Sequence, residues 1–285
     1  MHELESRYPK RALCEALGVS RSGYYARQRR PESRRRHENA RLLQEIKRVY
    51  LANRKIYGSP RIHEALCQAG IPCGRHRIAR LMRLHGIKAK AFQRKSLSAK
   101  CDTVFPAENL LRRCFKTSGP DRVWLSDITS LRTQKGWLYL AVVLDLYSRR
   151  VVGWAMREDM GEKLVVKALE MALLNRNQAP EIFHSDQGGQ YMASSFRERL
   201  RQYRIQRSMS RKGNCYDNAV AESFFKTVKQ ELVSQTKFHD REEAKSALFE
   251  YIEVFYNRRR LHSSLGYKSP AAFEQKPYPL GCPQW

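Results

Sequence analysis

The chain has 285 residues, enough for one large domain with small appendages or for two to three domains, and enough to bury a real core. Its net charge of +26 is uneven: residues 1–120 hold 28 Lys and Arg against 9 Asp and Glu, and residues 121–285 hold 26 against 19. A basic front half on a more balanced rear half points to a polyanion-binding region attached to something else. Together with the lack of any uncharged apolar stretch near 18 residues, it excludes a membrane-spanning protein.

The stretch "YPKRALCEALGVSRSGYYARQRR", 8–30, reads as two short helices around a turn at Gly18, with Ser20 capping the second. The second helix carries Arg21, further arginines and two tyrosines, which fits a helix-turn-helix contacting DNA. Residues 29–38 read as a charged linker. "ENARLLQEIKRVYLANR", 38–54, has Leu42, Leu43, Ile46, Val49 and Tyr50 at helical spacing. "SPRIHEALCQAG", 59–70, opens with Ser59 as cap and Pro60 in the first turn, and closes at Gly70. "GRHRIARLMRLHGIKAK", 74–90, turns Ile78, Leu81 and Met82 inward and Arg75, Arg77, Arg80 and Arg83 outward. These three helices make a compact unit, 37–92, whose basic face suits phosphates. Residues 93–120 read as a basic linker. Seven scattered cysteines without a C-x-x-C pair indicate a reduced, intracellular chain. Cys67, Cys73 and His76 lack a fourth partner at zinc spacing, so no zinc is expected there. The N-terminus lacks the apolar segment of a secretory signal.

From 121 the pattern changes. "RVWLSDITSL", 122–131, "GWLYLAVVLDLYS", 136–148, and "RVVGWAMRE", 150–158, are strand-like and close-set, as in an antiparallel meander. A helix at 161–176, a buried strand at 181–186, a helix at 194–204, a strand at 205–210 and a long helix at 216–233 capped by Asp217 and Asn218 follow. The order is that of an α/β fold with a mixed five-stranded sheet and helices on its faces.

Two carboxylates stand out. Asp127 lies mid-strand beside Ser126, among Val123, Trp124, Leu125 and Ile128, where an aspartate is disfavoured and rarely buried unpaired. Asp186, in "HSDQGGQY", ends the fourth strand. A meander followed by a βα unit lets strands one and four lie side by side, which brings both carboxylates to one sheet end. Alone they repel, and one would take up a proton. A hard divalent cation such as Mg²⁺ or Mn²⁺ removes that conflict. Gly188 and Gly189 would then leave room for a phosphate backbone. Glu222, on the long helix and nearly hemmed in by Val220, Ala221, Phe224, Phe225 and Val228, is the candidate third ligand, and Lys226 and Lys229 follow on its own face. The plain alternative is a Glu222–Lys226 pair on a wet surface. Thirty-five residues separate Asp186 from Glu222.

The stretches "VWLSDITS", "YLAVVLDLYSRRVVGW", "HSDQGGQY", "SMSRKGNCYDNAVAESFFKTVKQE" and "YNRRRLHSSLGYKSP" resemble the second open-reading-frame product (OrfB) of IS-three-type bacterial insertion-sequence transposases, in the retroviral integrase superfamily. "IYGSPRIHEAL" and "GVSRSGYYA" resemble its front half, so the resemblance covers nearly the whole chain. It implies an RNase H-like catalytic core over 121–236, behind small all-α DNA-binding units (1–36 and 37–92) and ahead of a C-terminal helical extension (237–285). It makes Asp127, Asp186 and Glu222 both the catalytic residues and the ligands of two Mg²⁺ or Mn²⁺ ions. Lys229 matches the family's basic residue, and Arg211 and Lys212 are expected on DNA beside it. The reaction implied is cleavage at insertion-sequence ends and 3′-OH strand transfer, without a covalent enzyme intermediate. Its partners would be double-stranded DNA (the terminal inverted repeats and target), further copies of the chain, and an upstream-frame product. The setting would be the bacterial cytoplasm, at the nucleoid. An RNase H-like nuclease or resolvase without strand joining, and a catalytically silent DNA-binding regulator, are the alternatives. Asp145 is expected to serve a turn. His184 either touches substrate or packs. Arg260 and His262 are structural or on DNA.

Overall fold

The computed structural model describes residues 8–29, 33–90, 109–111, 117–210 and 218–275. It divides at Lys88 into two units. The first is all-helical. Helices α1 (Lys10–Ala16) and α2 (Arg21–Arg29) flank Gly18, whose φ of +63° is the left-handed turn that glycine permits. Ser20 Oγ accepts the Gly23 amide proton at 3.1 Å, capping α2 as its sequence suggests. Helix α3 (Arg34–Ala52) begins inside the stretch read as a linker, because Arg34, Arg35 and Arg36 are good helix formers with no breaker among them. In α4 (Ser59–Gln68) the cap is Gly58 and not Ser59. Pro60 keeps its place in the first turn. Helix α5 is Arg75–Leu84. Ile46 of α3, Ile62 and Leu66 of α4, and Ile78 of α5 are fully buried between the three helices.

The second unit is built on five strands: β1 (Val123–Thr133), β2 (Gly136–Asp145), β3 (Val151–Arg157), β4 (Ile182–Ser185) and β5 (Gln206–Met209). Their order across the sheet is β3-β2-β1-β4-β5. The first three form the expected antiparallel meander, and β4 and β5 run parallel to β1 and β4. Helix α6 (Glu162–Asn175) covers β2 and β3. Between β4 and β5 lie α8 (Ser194–Gln202) and a one-turn helix the sequence pattern did not announce, α7 (Gly189–Met192). Trp124, Val143, Leu164, Leu169, Phe183, Tyr191 and Phe196 fill one face of the sheet, with Phe196 edge-on to both Phe183 and Tyr191 at 5.4 Å.

β3 and α6 meet at Gly153. A Cβ there would lie 2.3 Å from the Ala168 carbonyl oxygen and 2.6 Å from the Ala172 nitrogen, both backbone. Gly153→Ala is therefore expected to lower unfolding stability by about 3 kcal/mol, at the upper end of overpacking costs. A urea denaturation midpoint unchanged from the parent would contradict that close approach.

Helix α9 (Ala219–Glu231) packs on β1. Its buried face is Ala221, Phe224, Phe225 and Val228, one stripe with i, i+3, i+4, i+7 spacing. Asp217, expected as its cap, lies outside the described residues. The N-cap position is Asn218, whose side chain makes no capping bond. Helix α10 (Arg241–Phe249) runs into a π-helical turn, Glu250–Tyr256, and α11 (Pro270–Glu274) ends the described chain. These elements belong to the same unit as the sheet. Asn257 exchanges two 3.0 Å bonds with the Val151 backbone on edge strand β3. Glu274 holds Arg150 at 2.6 Å and Arg176 at 2.6 Å, and Arg176 also grips Asp121 at 2.7 Å.

Candidate active site at the β1–β4 sheet end

β1 and β4 are aligned so that Val123 faces Ile182, Trp124 faces Phe183 and Leu125 faces His184. The same offset carried two residues further sets Asp127 beside Asp186. The meander topology thus brings together the two carboxylates that the sequence singled out. Both are half-buried. Asp127 accepts a 2.8 Å bond from the Ile128 amide, and Asp186 accepts a 3.0 Å bond from the Gly188 amide. Burial, then the charge of Asp186, and more weakly that of Glu222, push Asp127 up to about 7, against the Ile128 bond and the charge of Lys229. Asp186 is also raised, by burial. This is the conflict expected of two carboxylates at one site, with Asp127 as the member that takes the proton.

Gly188 and Gly189 differ. A Cβ on Gly188 would lie 2.6 Å from Gln190 Oε1 and 3.0 Å from Asp186 Oδ1, whereas Gly189 meets nothing within 4 Å. A side chain at Gly188 would be crowded by the movable end of Gln190 and by the Asp186 carboxylate that its own amide bonds, while Gly189 has open space.

Glu222 stands apart from the pair. It is exposed on α9, not hemmed in, because the apolar residues around it in sequence turn to the opposite side of the helix. Desolvation alone raises its carboxylate. An ion pair with Lys226 would pull it down, so the wet-surface pairing is not what occupies it. Lys226 and Lys229 are exposed beyond it. Among the described residues, no three His, Cys, Asp or Glu side chains stand close enough together to hold a metal ion. The donor chemistry of the aspartate pair nevertheless suits a hard cation: two oxygen-only ligands whose mutual repulsion a positive charge would relieve.

Tyr191, which the sequence pattern gave no role, and Asn218, expected only as a helix cap, complete the surroundings. Tyr191 of α7 is fully buried, and its hydroxyl lies 2.8 Å from Ser126 Oγ. Burial and then the charges of Asp127 and Asp186 raise its phenol well above the usual range. Asn218 donates from Nδ2 to the Ser126 carbonyl at 3.4 Å, and its Oδ1 is buried without a hydrogen-bond partner. The available signal was Ser126 itself, a polar residue inside an apolar strand.

Asp145 is fully buried at the end of β2. It accepts bonds from the Asp121 amide at 3.0 Å, the Ser148 amide at 2.9 Å and the Ser148 hydroxyl at 2.7 Å, so it serves a turn as expected. His184 packs, fully buried, with Nδ1 2.8 Å from Ser208 Oγ. Arg260 is buried against Glu231 at 2.7 Å, with its Nη1 3.4 Å from His262 Nε2, which makes it structural. In the helical unit Arg75, Arg80 and Arg83 are exposed, as are Arg21, Ser22 and Tyr25 on α2. Arg77 bonds Asn39 at 2.8 Å and Glu38 at 3.4 Å, tying α5 to α3. Arg211 and Lys212 lie outside the described residues.

Comparison with known proteins decides the family. Residues 117–215 and 203–270 match integrase core domain models, and residues 37–96 match a model described as an HTH-like domain. The transposase InsF for insertion sequence IS3A of Escherichia coli (strain K12) is 39% identical over 95% of this chain and 96% of its own length. The chain belongs to the insertion-sequence transposases with an integrase core. A transposase for insertion sequence element IS904 of Lactococcus lactis is 42% identical over 87% of this chain and 98% of its own. An uncharacterised 31 kDa protein of insertion element IS600 from Shigella sonnei is 44% identical over 93% and 98%. Among solved structures, a simian T-cell lymphotropic virus intasome chain superposes with a TM-score of 0.51 at 15% identity, covering 78% of this chain and 74% of that one. That likeness supports the fold. In this transposase the HTH-like match begins in the helical unit, and the integrase core matches fall in the unit built on the sheet. No helix among the described residues is long and apolar enough to cross a membrane.

Proposed function

We propose that this transposase cuts at the ends of its own insertion sequence and joins the freed 3′-OH ends to target DNA, using Asp127, Asp186 and Glu222. The observation that carries the reading is the aspartate pair, set on adjacent parallel strands at an open sheet end, with Glu222 on a helix packed against the same strand. Asp127 and Asp186 would hold Mg²⁺ or Mn²⁺, two ions when Glu222 closes on them. Bound divalent cations supply activation of the attacking oxygen and stabilisation of the leaving one. Asp186 is aimed by the Gly188 amide and Asp127 by that of Ile128. Lys229, exposed and with its charge reaching Asp127, would receive a phosphate of the terminal DNA. Other copies of the chain, and an upstream-frame product, are the expected partners on double-stranded DNA in the bacterial cytoplasm.

The test is a joining assay with a pre-nicked duplex end, a target duplex and Mg²⁺. Joined product supports the reading. Hydrolysis without joining would make the chain a nuclease of the same fold.

Lys229→Ala is expected to weaken binding of the terminal duplex while sparing Mn²⁺ uptake, and to reduce the slope of log K against log salt by about 0.9, one phosphate contact. An unchanged slope removes Lys229 from the DNA.

The helical unit is expected to supply most of the affinity. Changing Arg75, Arg80 and Arg83 together to Gln should flatten that slope by roughly 2.7 and leave joining intact at saturating DNA. A slope equal to that of the parent would make these arginines a solvated face. Arg77→Gln should act instead through loosening of α5 from α3.

A further inference from the structure

Ser126 uses both its polar ends at the point where the sheet opens. Its hydroxyl meets the Tyr191 hydroxyl at 2.8 Å, with both groups buried. Its carbonyl accepts from Asn218 Nδ2 at 3.4 Å, also buried. Tyr191 follows Asp186 by five residues and Asn218 precedes Glu222 by four. Ser126 is the residue before Asp127. One residue therefore ties the strand of the first carboxylate to the segment carrying the second and to the start of the helix carrying the third.

The ties are not demanded by the core. Ala141, Val143, Phe183 and Phe196 already pack the same face of the sheet with apolar side chains. A serine–tyrosine pair in such surroundings has to find each other, since an unmade bond there costs about 1–3 kcal/mol. What the pair adds is geometry. Successive strand residues point to opposite faces, so the Ser126 hydroxyl reaches α7 on one side while Asp127 projects from the other. Fixing α7 fixes the short turn Gln187–Gly188 that aims Asp186. The Gln187 amide reinforces that turn through its 2.9 Å bond to the Ser210 carbonyl.

We propose that Ser126 is a positioning residue for the carboxylate site, acting through Tyr191 on Asp186 and through Asn218 on Glu222. This rests on the reading of those carboxylates as metal ligands. Groups that orient ligands in this way typically change metal affinity by about 10- to 100-fold when removed.

The experiment is Mn²⁺ uptake by the full chain, followed as loss of the free-ion electron paramagnetic resonance signal, beside its thermal midpoint. Ser126→Ala and Tyr191→Phe delete the same bond from opposite ends with little change of volume. Each is expected to weaken Mn²⁺ binding by roughly tenfold. The double variant should be no worse than either single, because only one bond is lost. Ser126→Thr, which keeps the hydroxyl, should restore affinity. Losses that add, or Mn²⁺ binding at the parent level in both singles with only a lower thermal midpoint, would overturn the proposal and leave the bond a structural one. If Ser126→Ala does not fold, Tyr191→Phe and Ser126→Thr decide it on the same readout. A parent chain that takes up no Mn²⁺ would instead sink the ligand reading, and the inference with it.

Discussion

Glu222→Gln is expected to bring cleavage and joining below about one per cent of the parent, with folding and duplex binding unchanged. The amide keeps the shape of the side chain and removes the negative charge, and charge stabilisation in metal-assisted transfer is worth several kcal/mol. Glu222 is exposed and makes no ion pair that folding depends on, so a loss of stability is not expected alongside. Asp127→Asn should match the loss of activity for a different reason. Asp127 is held up to about 7 by burial and by Asp186, and an uncharged amide there relieves the repulsion. That variant should be as stable as the parent or slightly more so. Gel-shift, thermal melting and a strand-cleavage assay run together separate these effects. More than a few per cent of residual activity in Glu222→Gln would remove Glu222 from the chemistry.

Arg260→Ala carries the largest expected loss of stability, about 3–5 kcal/mol. Glu231 sits in the last turn of α9, where the helix dipole disfavours an acid, and it is buried. Arg260 offsets that with bonds of 2.9 and 2.7 Å, and Tyr251 adds one of 2.6 Å. Burial lowers Arg260, but the Glu231 carboxylate outweighs it and holds the guanidinium above its usual range. Taking away Arg260 strands a buried charge. Replacing both partners, Arg260→Met with Glu231→Leu, should recover most of the loss, because a filled apolar site costs less than a broken pair. Urea unfolding of the full chain measures both. Equal losses in the single and the double variant would mean that packing, and not the charge, is what matters there.

Much of the site was legible because it follows from topology. Three close-set strands, a helix and one more strand leave β4 little choice but to lie beside β1. The positions of Asp127 and Asp186 in their strands then place them side by side. The stripe of Ala221, Phe224, Phe225 and Val228 fixed which face of α9 is buried, yet the same stripe misled on Glu222, which points away from it. Periodicity records a face and not a partner. For that reason Tyr191 and Asn218 on Ser126, Arg260 on Glu231, and Arg150 and Arg176 on Glu274 were invisible: each pair is brought together by the fold across tens of residues. Arg77 belongs with them, outward by spacing but spoken for by Asn39. Helix α7 was missed because a single turn, Gly-Gln-Tyr-Met, is too short to carry a period.

The most direct measurement is calorimetric titration of Mn²⁺ into the full chain and into Asp127→Asn. Below about 7 a proton occupies Asp127 and above it the carboxylate is free, so a metal that binds there must displace that proton. The account predicts uptake by the parent that is weaker at pH 6 than at pH 8 and releases close to one proton at the lower pH, and no comparable uptake by Asp127→Asn. Equal Mn²⁺ binding by both proteins would contradict it.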